Sequence, residues 1–204
     1  MEFAIKCGQV GDERRLSLLG KATFLETYAG NTAAADILAF VEAEHSVERY
    51  KFWVESDFAK IWIAETIPGH SAIGYAVALT APNNGFAREM EIKRLYVLHR
   101  FQQSGLGYRL MNEILASARR HEIAELFLKV QKVNQSAVDF YTHHGFRVVG
   151  EESFLVGAQD HTALVIRLAL RTAVEGRSKD SAVVIPPSLS AELDSQEQYK
   201  RQRH

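Results

Sequence analysis

One cysteine, Cys7, stands among 204 residues, so the chain cannot close a disulfide within itself. That excludes a small cross-linked secreted framework. Cys7 itself reads as a small apolar residue on a first strand rather than a nucleophile. A surplus of one charge is also missing. The chain has 24 Lys+Arg and 25 Asp+Glu, a formal net charge of -1, and so lacks the basic excess of a nucleic-acid binder. The 8 histidines are scattered without the spacing of a metal motif such as HExxH, and no metal is expected. No stretch approaches the ~20 apolar residues of a membrane-spanning helix. The opening MEFAIKCGQVGDERR lacks the basic start and apolar core of a secretory signal. The expectation is a soluble, cytoplasmic protein that binds neither nucleic acid nor membrane.

What is present is enough apolar residue for one packed domain, 47% of the chain. Phe3–Cys7 reads as a strand. Asp12 precedes a helical pattern through Leu16, Leu19, Phe24 and Leu25, which Gly30 and Asn31 interrupt. A second helical stretch covers Ala33–Glu55, with a break near Glu44–Ser46. The period then changes to that of strands at Lys60–Thr66 and Ala72–Leu79, joined by a Pro68–Gly69 turn. Ala81–Phe86 reads as a loop and Glu89–Leu98 as a strand. Leu106–Ala118 carries a helical apolar stripe, and Glu125–Val130 is again a strand. Asn134–His144 is helical and stops at Gly145, a residue suited to a left-handed cap. Phe146–Glu151 and Ala163–Leu170 finish the pattern. Trp53 and Trp62 are assigned to the core.

The strand–helix–strand unit Glu89–Val130 calls for a crossover between parallel strands, whereas everything before it looks antiparallel. An α/β fold follows, with a mixed, mostly antiparallel sheet and helices on both faces. The composition shifts after Leu170. Residues 1–170 are therefore read as the folded domain and 171–204 as a polar tail, either flexible or an arm on a neighbouring copy in a homodimer.

The chemical signal lies at the turn Gln102-Gln103-Ser104-Gly105-Leu106-Gly107, between a strand and an apolar helix. Two glycines let backbone approach a bulky anion, and a helix start offers unpaired N–H groups and the positive dipole end. Together these make a phosphate cradle. No Lys-Ser/Thr pair follows the glycines and no GxGxxG is present, so neither a P-loop nor a dinucleotide fingerprint fits. A plain tight turn would also explain two glycines.

With Gln102, Gly105 and Gly107 at the first motif and Asn134-x-x-Ala137-x-x-Phe140-Tyr141-x-x-x-Gly145-Phe146 at a second, the chain resembles the GNAT superfamily of acyl-CoA N-acyltransferases. The likeness covers about residues 3–170 and implies a GNAT fold with a splayed parallel strand pair. Three further segments resemble the bacterial PaiA-like spermidine/spermine acetyltransferase branch. They are Ala22–Tyr28, Glu91–Val97 and Gly150–Gly157. The superfamily resemblance implies acetyl-CoA as co-substrate. It assigns the backbone of Leu95, Tyr96 and Val97 to the pantetheine arm and the N–H groups of Gln102, Gln103, Ser104, Gly105, Leu106, Gly107 and Tyr108 to the pyrophosphate. Asn134 and Ala137 touch the cofactor, and Tyr141 points at the thioester sulfur. Where family members often carry a basic residue near the phosphates, this chain departs and has His143.

The residues agree with these roles. Asn134, Ala137 and Tyr141 share one helical face. A phenol can protonate a departing thiolate, though an amphipathic tyrosine capping the core is the plainer alternative. An alkylammonium must lose a proton before it can attack a thioester. Glu91 shares strand parity with Lys93, Leu95 and Val97, so its side chain is expected on their face. The resemblance implies a base at this position, six residues before Val97 and usually acting through water; a solvated acid at a strand start is the alternative. The resemblance implies an acceptor entrance between the first two helices and the last hairpin, where Phe24, Thr27 and Tyr28, with Phe154 and Asp160 of the hairpin, are expected to line it. Glu26, Asp36, Glu42 and Glu44 offer a negative funnel for a polycation, although acids on exposed helices are ordinary. The expected acceptor is a small-molecule amine, with polyamines first. The alternatives are a peptide N-terminus or a non-catalytic acetyl-CoA-binding role. His143 and His144 need no catalytic part, and no acyl-enzyme on Cys7 is expected.

Overall fold

The structure, a computed structural model, describes residues 2–80, 88–156 and 159–170, without the side chains of 154–156 and 159–160. The expected loop at 81–86, the side chains of Phe154 and Asp160 and the tail 171–204 lie outside the described residues. Strand β1 (Glu2–Cys7) leads into helix α1 (Glu13–Tyr28), α2 (Ala34–Glu44) and α3 (Val47–Val54). Strands β2 (Ala59–Ile67), β3 (Ala72–Thr80) and β4 (Glu89–Val97) follow. Then come α4 (Leu106–Arg120), β5 (Glu125–Gln131), α5 (Gln135–His143), β6 (Arg147–Val156) and β7 (Gln159–Ala169). The expected break in the second helical stretch falls at Ser46, whose hydroxyl accepts the Arg49 N–H at 3.1 Å and caps α3.

The strands form one sheet in the order β1-β2-β3-β4-β5-β7-β6. Neighbours are antiparallel except β4 and β5. Helices cover both faces. Ala76 and Ala78 of β3 pack with Leu110, Met111 and Ile114 of α4. Tyr75, of opposite parity, accepts a hydrogen bond from Tyr50 of α3 at 2.9 Å. The final hairpin is longer than sequence periodicity suggested. Its extra pairs, such as Glu152 with Ala163 and Ser153 with Thr162, carry no apolar alternation. Cys7 is exposed at the end of the edge strand rather than packed as an apolar residue.

Beneath α1 lies a polar network. The Tyr50 hydroxyl bonds Tyr75, and His45 Nδ1 lies 2.9 Å from the Tyr50 oxygen. Burial, with Arg94 and Lys21 adding to it, pushes the His45 imidazole down to about 2, so it is neutral. Gly20 on α1 faces this group directly. A Cβ there would sit 2.3 Å from His45 Nδ1 and 2.4 Å from the Tyr50 hydroxyl.

Register decides where the site lies. β4 pairs with β5 only at Glu89–Glu125, Met90–Leu126 and Glu91–Phe127, and the strands then part. Arg167 of β7 clamps the base of this V. Its Nη1 is 2.8 Å from Glu89 of β4 and also bonds Glu125 of β5, and its guanidinium lies 5.1 Å from the Phe127 ring centroid. β4 is also bulged against β3. Val77 pairs with Arg94 but Ala78 with Ile92, leaving Lys93 as the extra residue. Parity therefore reverses at Lys93. Met90 and Ile92 before the bulge, and Leu95 and Val97 after it, all pack on the α4 face. Glu91 falls on the opposite face from Leu95 and Val97. The expectation of a shared face assumed an unbroken period of two, and the bulge breaks it.

Gly20→Ala should destabilise the protein by about 1–3 kcal/mol, because the added methyl overpacks the polar network. Helix propensity alone gives the opposite sign, about 1 kcal/mol of gain. Denaturant or thermal unfolding of the two proteins decides between them. A second expectation concerns Glu65, fully buried at the β1–β2 edge. Lys6, desolvation notwithstanding, and then His70 and Arg15 hold its carboxyl down to about 2 from an ordinary 4.5. A depressed folded-state value means that its contribution is complete above about 4.5 and is lost as pH falls toward 2. Thermal unfolding between pH 6 and pH 2.5 should therefore show a steeper acid loss in the native chain than in Glu65→Gln.

Candidate active site

Beyond the last β4–β5 pair, the parted strands, α1, the start of α4 and α5 enclose a cleft of about 780 Å³. Its size is that of a ligand site. Leu95, Tyr96 and Val97 line one arm, and Leu128–Gln131 line the other. The Leu98 N–H donates to Ile73 of β3 at 2.9 Å. Hydrogen-bonding directions alternate along a strand, so the amides of Val97 and Leu95 point the other way, into the gap. An extended chain carrying amides would complete both open edges.

The cradle at the head of α4 is built as its glycines require. Gln103 and Gly105 have positive φ, 59° and 80°. The first bond closing α4 runs from the Arg109 N–H to the Gly105 carbonyl at 3.0 Å, which leaves the N–H groups of Leu106, Gly107 and Tyr108 without helical partners. The Gln102 Nε2 donates to the Val97 carbonyl at 3.2 Å and ties the turn to the end of β4. Gln102, Gln103, Gly105, Gly107 and Tyr108 line the cleft. Ser104 and Leu106 do not: the Ser104 hydroxyl donates to the Phe101 carbonyl at 2.6 Å, and the Leu106 side chain belongs to the core. A Cβ on Gly107 would stand 3.4 Å from the Phe140 ring, so its absence lets α4 and α5 converge beside the cleft.

On α5, Asn134 is the cap. Its Oδ1 accepts the Ala137 N–H at 3.2 Å, and both residues line the cleft. Tyr141 lies between Phe140 and Phe146, with ring centroids 5.2 and 5.7 Å away. It is buried yet borders the cleft. Burial, and then Tyr96, pushes its phenol above the ordinary range, so it holds its proton at neutral pH. His143 and His144 also line the cleft. His144 donates through Nδ1 to the Phe140 carbonyl at 2.7 Å, and its Nε2 is buried without a partner among the described residues.

The acceptor side is less like the sequence reading. Thr27 and Tyr28 line the cleft as expected. Phe24 does not; it stacks on Phe40 at 4.3 Å and fills a core with Ile37 and Val41. Glu91 does not border the cleft either. It is 3% exposed, and its Oε1 lies 3.9 Å from Lys93 Nζ. Two of the four acids assigned to a funnel are engaged. Glu26 accepts the His99 N–H at 2.9 Å, and Glu44 pairs with Arg94 at 3.0 Å and Arg49 at 3.4 Å. Burial alone would raise the Glu44 carboxyl, but Arg94, Arg49 and Lys93 outweigh it and hold it below the usual value. Sequence reading gave no cleft role to Arg94, Lys129 or His144, all of which line it. For Lys129 the alternation of Leu126, Leu128 and Val130 gave the face, but nothing in the sequence marked where the strands part.

The likeness to known proteins agrees with this geometry. The profile of the Acetyltransferase (GNAT) family matches residues 21–146. An uncharacterised N-acetyltransferase of Mycobacterium bovis is 27% identical over 157 residues, 76% of this chain and 96% of that protein. Among solved structures, the PaiA N-acetyltransferase of Thermoplasma acidophilum in complex with coenzyme A superposes with a TM-score of 0.71 at 19% identity. It covers 83% of this chain and all of that one. The ribosomal-protein-S18-alanine N-acetyltransferase of Escherichia coli gives 0.62 at 14% identity over 87% of this chain and all of that one. At such identities the structures speak for the fold alone. With the family profile spanning more than half of the chain and the parted strands, amide cradle and tyrosine in place, the chain belongs to the GNAT acetyltransferase family and uses acetyl-CoA.

Proposed function

We propose that the protein transfers the acetyl group of acetyl-CoA directly to a primary amine that enters from the α1 side of the cleft. The observation that carries this reading is the parting of β4 and β5 after Glu91–Phe127, with the α4 cradle and a protonated Tyr141 on the same cleft. The open edges at Leu95–Val97 and Leu128–Gln131 fit a pantetheine arm, and the N–H groups of Gln103–Tyr108 fit its diphosphate. The Val97 N–H, pointing into the gap, stabilises the oxyanion formed when the neutral amine adds to the thioester carbonyl. Tyr141 then gives its phenolic proton to the departing sulfur, so CoA leaves as the thiol, and the phenolate so formed takes up the proton that the acylated nitrogen sheds. No acyl-enzyme is required, and exposed Cys7, on the edge strand β1, has no part.

Glu91 takes a different role from the one its position in the sequence suggested. Buried and outside the cleft lining, it is placed to hold Lys93 rather than to take a proton from the amine. We assign it as a positioning residue. The polyamine expectation rests on the likeness of three segments to the PaiA-like branch, and the PaiA structure supports the fold alone.

Tyr141→Phe should slow turnover by about two to four orders of magnitude, the usual worth of a general acid, while calorimetry shows CoA affinity unchanged. Unaltered turnover would remove Tyr141 from the chemistry. Glu91→Gln should change KM for the acceptor and leave the acidic limb of the turnover pH profile in place. Loss of that limb, together with turnover slowed by about a hundred-fold or more, would restore Glu91 as the base.

A further inference from the structure

Two lysines stand on the two arms of the V, each two residues past the last β4–β5 pair. They are Lys93, two past Glu91, and Lys129, two past Phe127. Both line the cleft, as does Arg94. Their face is fixed by their neighbours. Leu126, Leu128 and Val130 pack with α4, so Phe127 and Lys129 project from the opposite side of β5. Arg94 reaches Glu44 of α2 and lies 5.8 Å from the Trp53 ring centroid of α3. Tyr28 of α1 borders the same region. The three cations therefore belong to the acceptor side, across the sheet from the α4 cradle that serves the diphosphate.

Each cation has a carboxylate partner: Glu91 for Lys93, Glu44 for Arg94 and Glu152 for Lys129. None of these carboxylates lines the cleft. Asp139 is the acidic residue among the described cleft-lining residues. It sits on α5, where it accepts from the Gln135 amide at 2.8 Å. A polycation entering past Tyr28 would meet Arg94, Lys93 and Lys129 head on, a like-charge arrangement that disfavours it. An ammonium has three donors, so a lysine already paired on one side can still receive an anion on the other.

Resting on acetyl transfer as the activity of this cleft, we propose that the acceptor amine also carries an anionic group, a carboxylate or a phosphate, received between Lys93 and Lys129 at the opening of the V. The acceptor class is then amino acids or phosphorylated amines rather than polyamines. The anion fixes the amine's approach and stays intact, while nitrogen gains the acetyl group and loses a proton.

The test is thiol release from acetyl-CoA with matched acceptors: lysine against cadaverine, phenylalanine against phenethylamine, O-phosphoethanolamine against ethanolamine, and spermidine alone. At least one anionic member should exceed its partner lacking the anion in kcat/KM by about ten-fold, roughly the worth of one charge-assisted contact. The amino-acid and phosphate pairs show which anion is read. Lys129→Gln should erase most of that preference, read as the ratio of kcat/KM between the two members of a pair and seen mainly in the anionic member's KM. A merely structural lysine would weaken both members alike. Preference for spermidine or cadaverine, or an equal loss for both members in Lys129→Gln, overturns the proposal. If no amine is acetylated, transfer to these acceptors fails separately. The anion site is then read by calorimetry of N-acetyl-phenylalanine against N-acetyl-phenethylamine with CoA present: a carboxylate preference sustains it, and equal binding overturns it.

Discussion

The separation of β4 from β5 is the constraint on which the rest depends. Each strand keeps one edge satisfied, β4 against β3 as far as Val97 and β5 against β7 as far as Gln131. The facing edges share three pairs and then part. Unpaired backbone groups in a half-buried cleft are costly unless something bonds them. A slit of this kind suits a ligand that is itself extended and amide-bearing. Arg167 holds the closed end by joining Glu89 of β4 to Glu125 of β5, so the opening starts at a fixed register.

The bulge at Lys93 gives the slit two different sides. Without it, Glu91, Lys93, Leu95 and Val97 would share a face. With it, Leu95 and Val97 join the α4 core while Lys93, Arg94 and Tyr96 turn toward α1–α3. The turn at the head of α4 and the side chains of Lys93 and Arg94 thereby lie across the sheet from each other, and Tyr141 borders the same cleft. One inserted residue thus divides the side chains of β4 between the two faces of the sheet.

The α1–α3 side of the cleft rests on a buried row of polar side chains. His45, Tyr50 and Tyr75 are fully buried and joined in a row, and Tyr96 stacks on Tyr75 with centroids 6.0 Å apart. Burial pushes the Tyr50 phenol up to about 12, so the network carries no charge of its own near neutrality. A buried polar network of this sort supports the groups above it, here Tyr96 and Arg94, and demands a glycine at position 20 on the helix it meets.

Local patterns carried much of the fold. Periodicity placed the helices and the inner strands, Gly145 closes α5 with φ of 88°, and the Gln102–Gly107 turn opens α4. These signals are legible because they depend on neighbours a few residues apart: turn chemistry, caps and the alternation of apolar side chains. That the Gln102–Gly107 turn and Tyr141 would come to one place was legible by the same means, since motif spacing is local too, and both border the cleft. Tertiary structure alone decided the rest. The bulge at Lys93 arises from pairing with β3 and leaves no mark in EMEIKRLYV, so the face of Glu91 was beyond the sequence. Phe24 was withdrawn from the entrance by Phe40, a partner on another helix. Lys93 and Lys129 lie 36 positions apart in the chain and come to one cleft only because two strands start in register and then part.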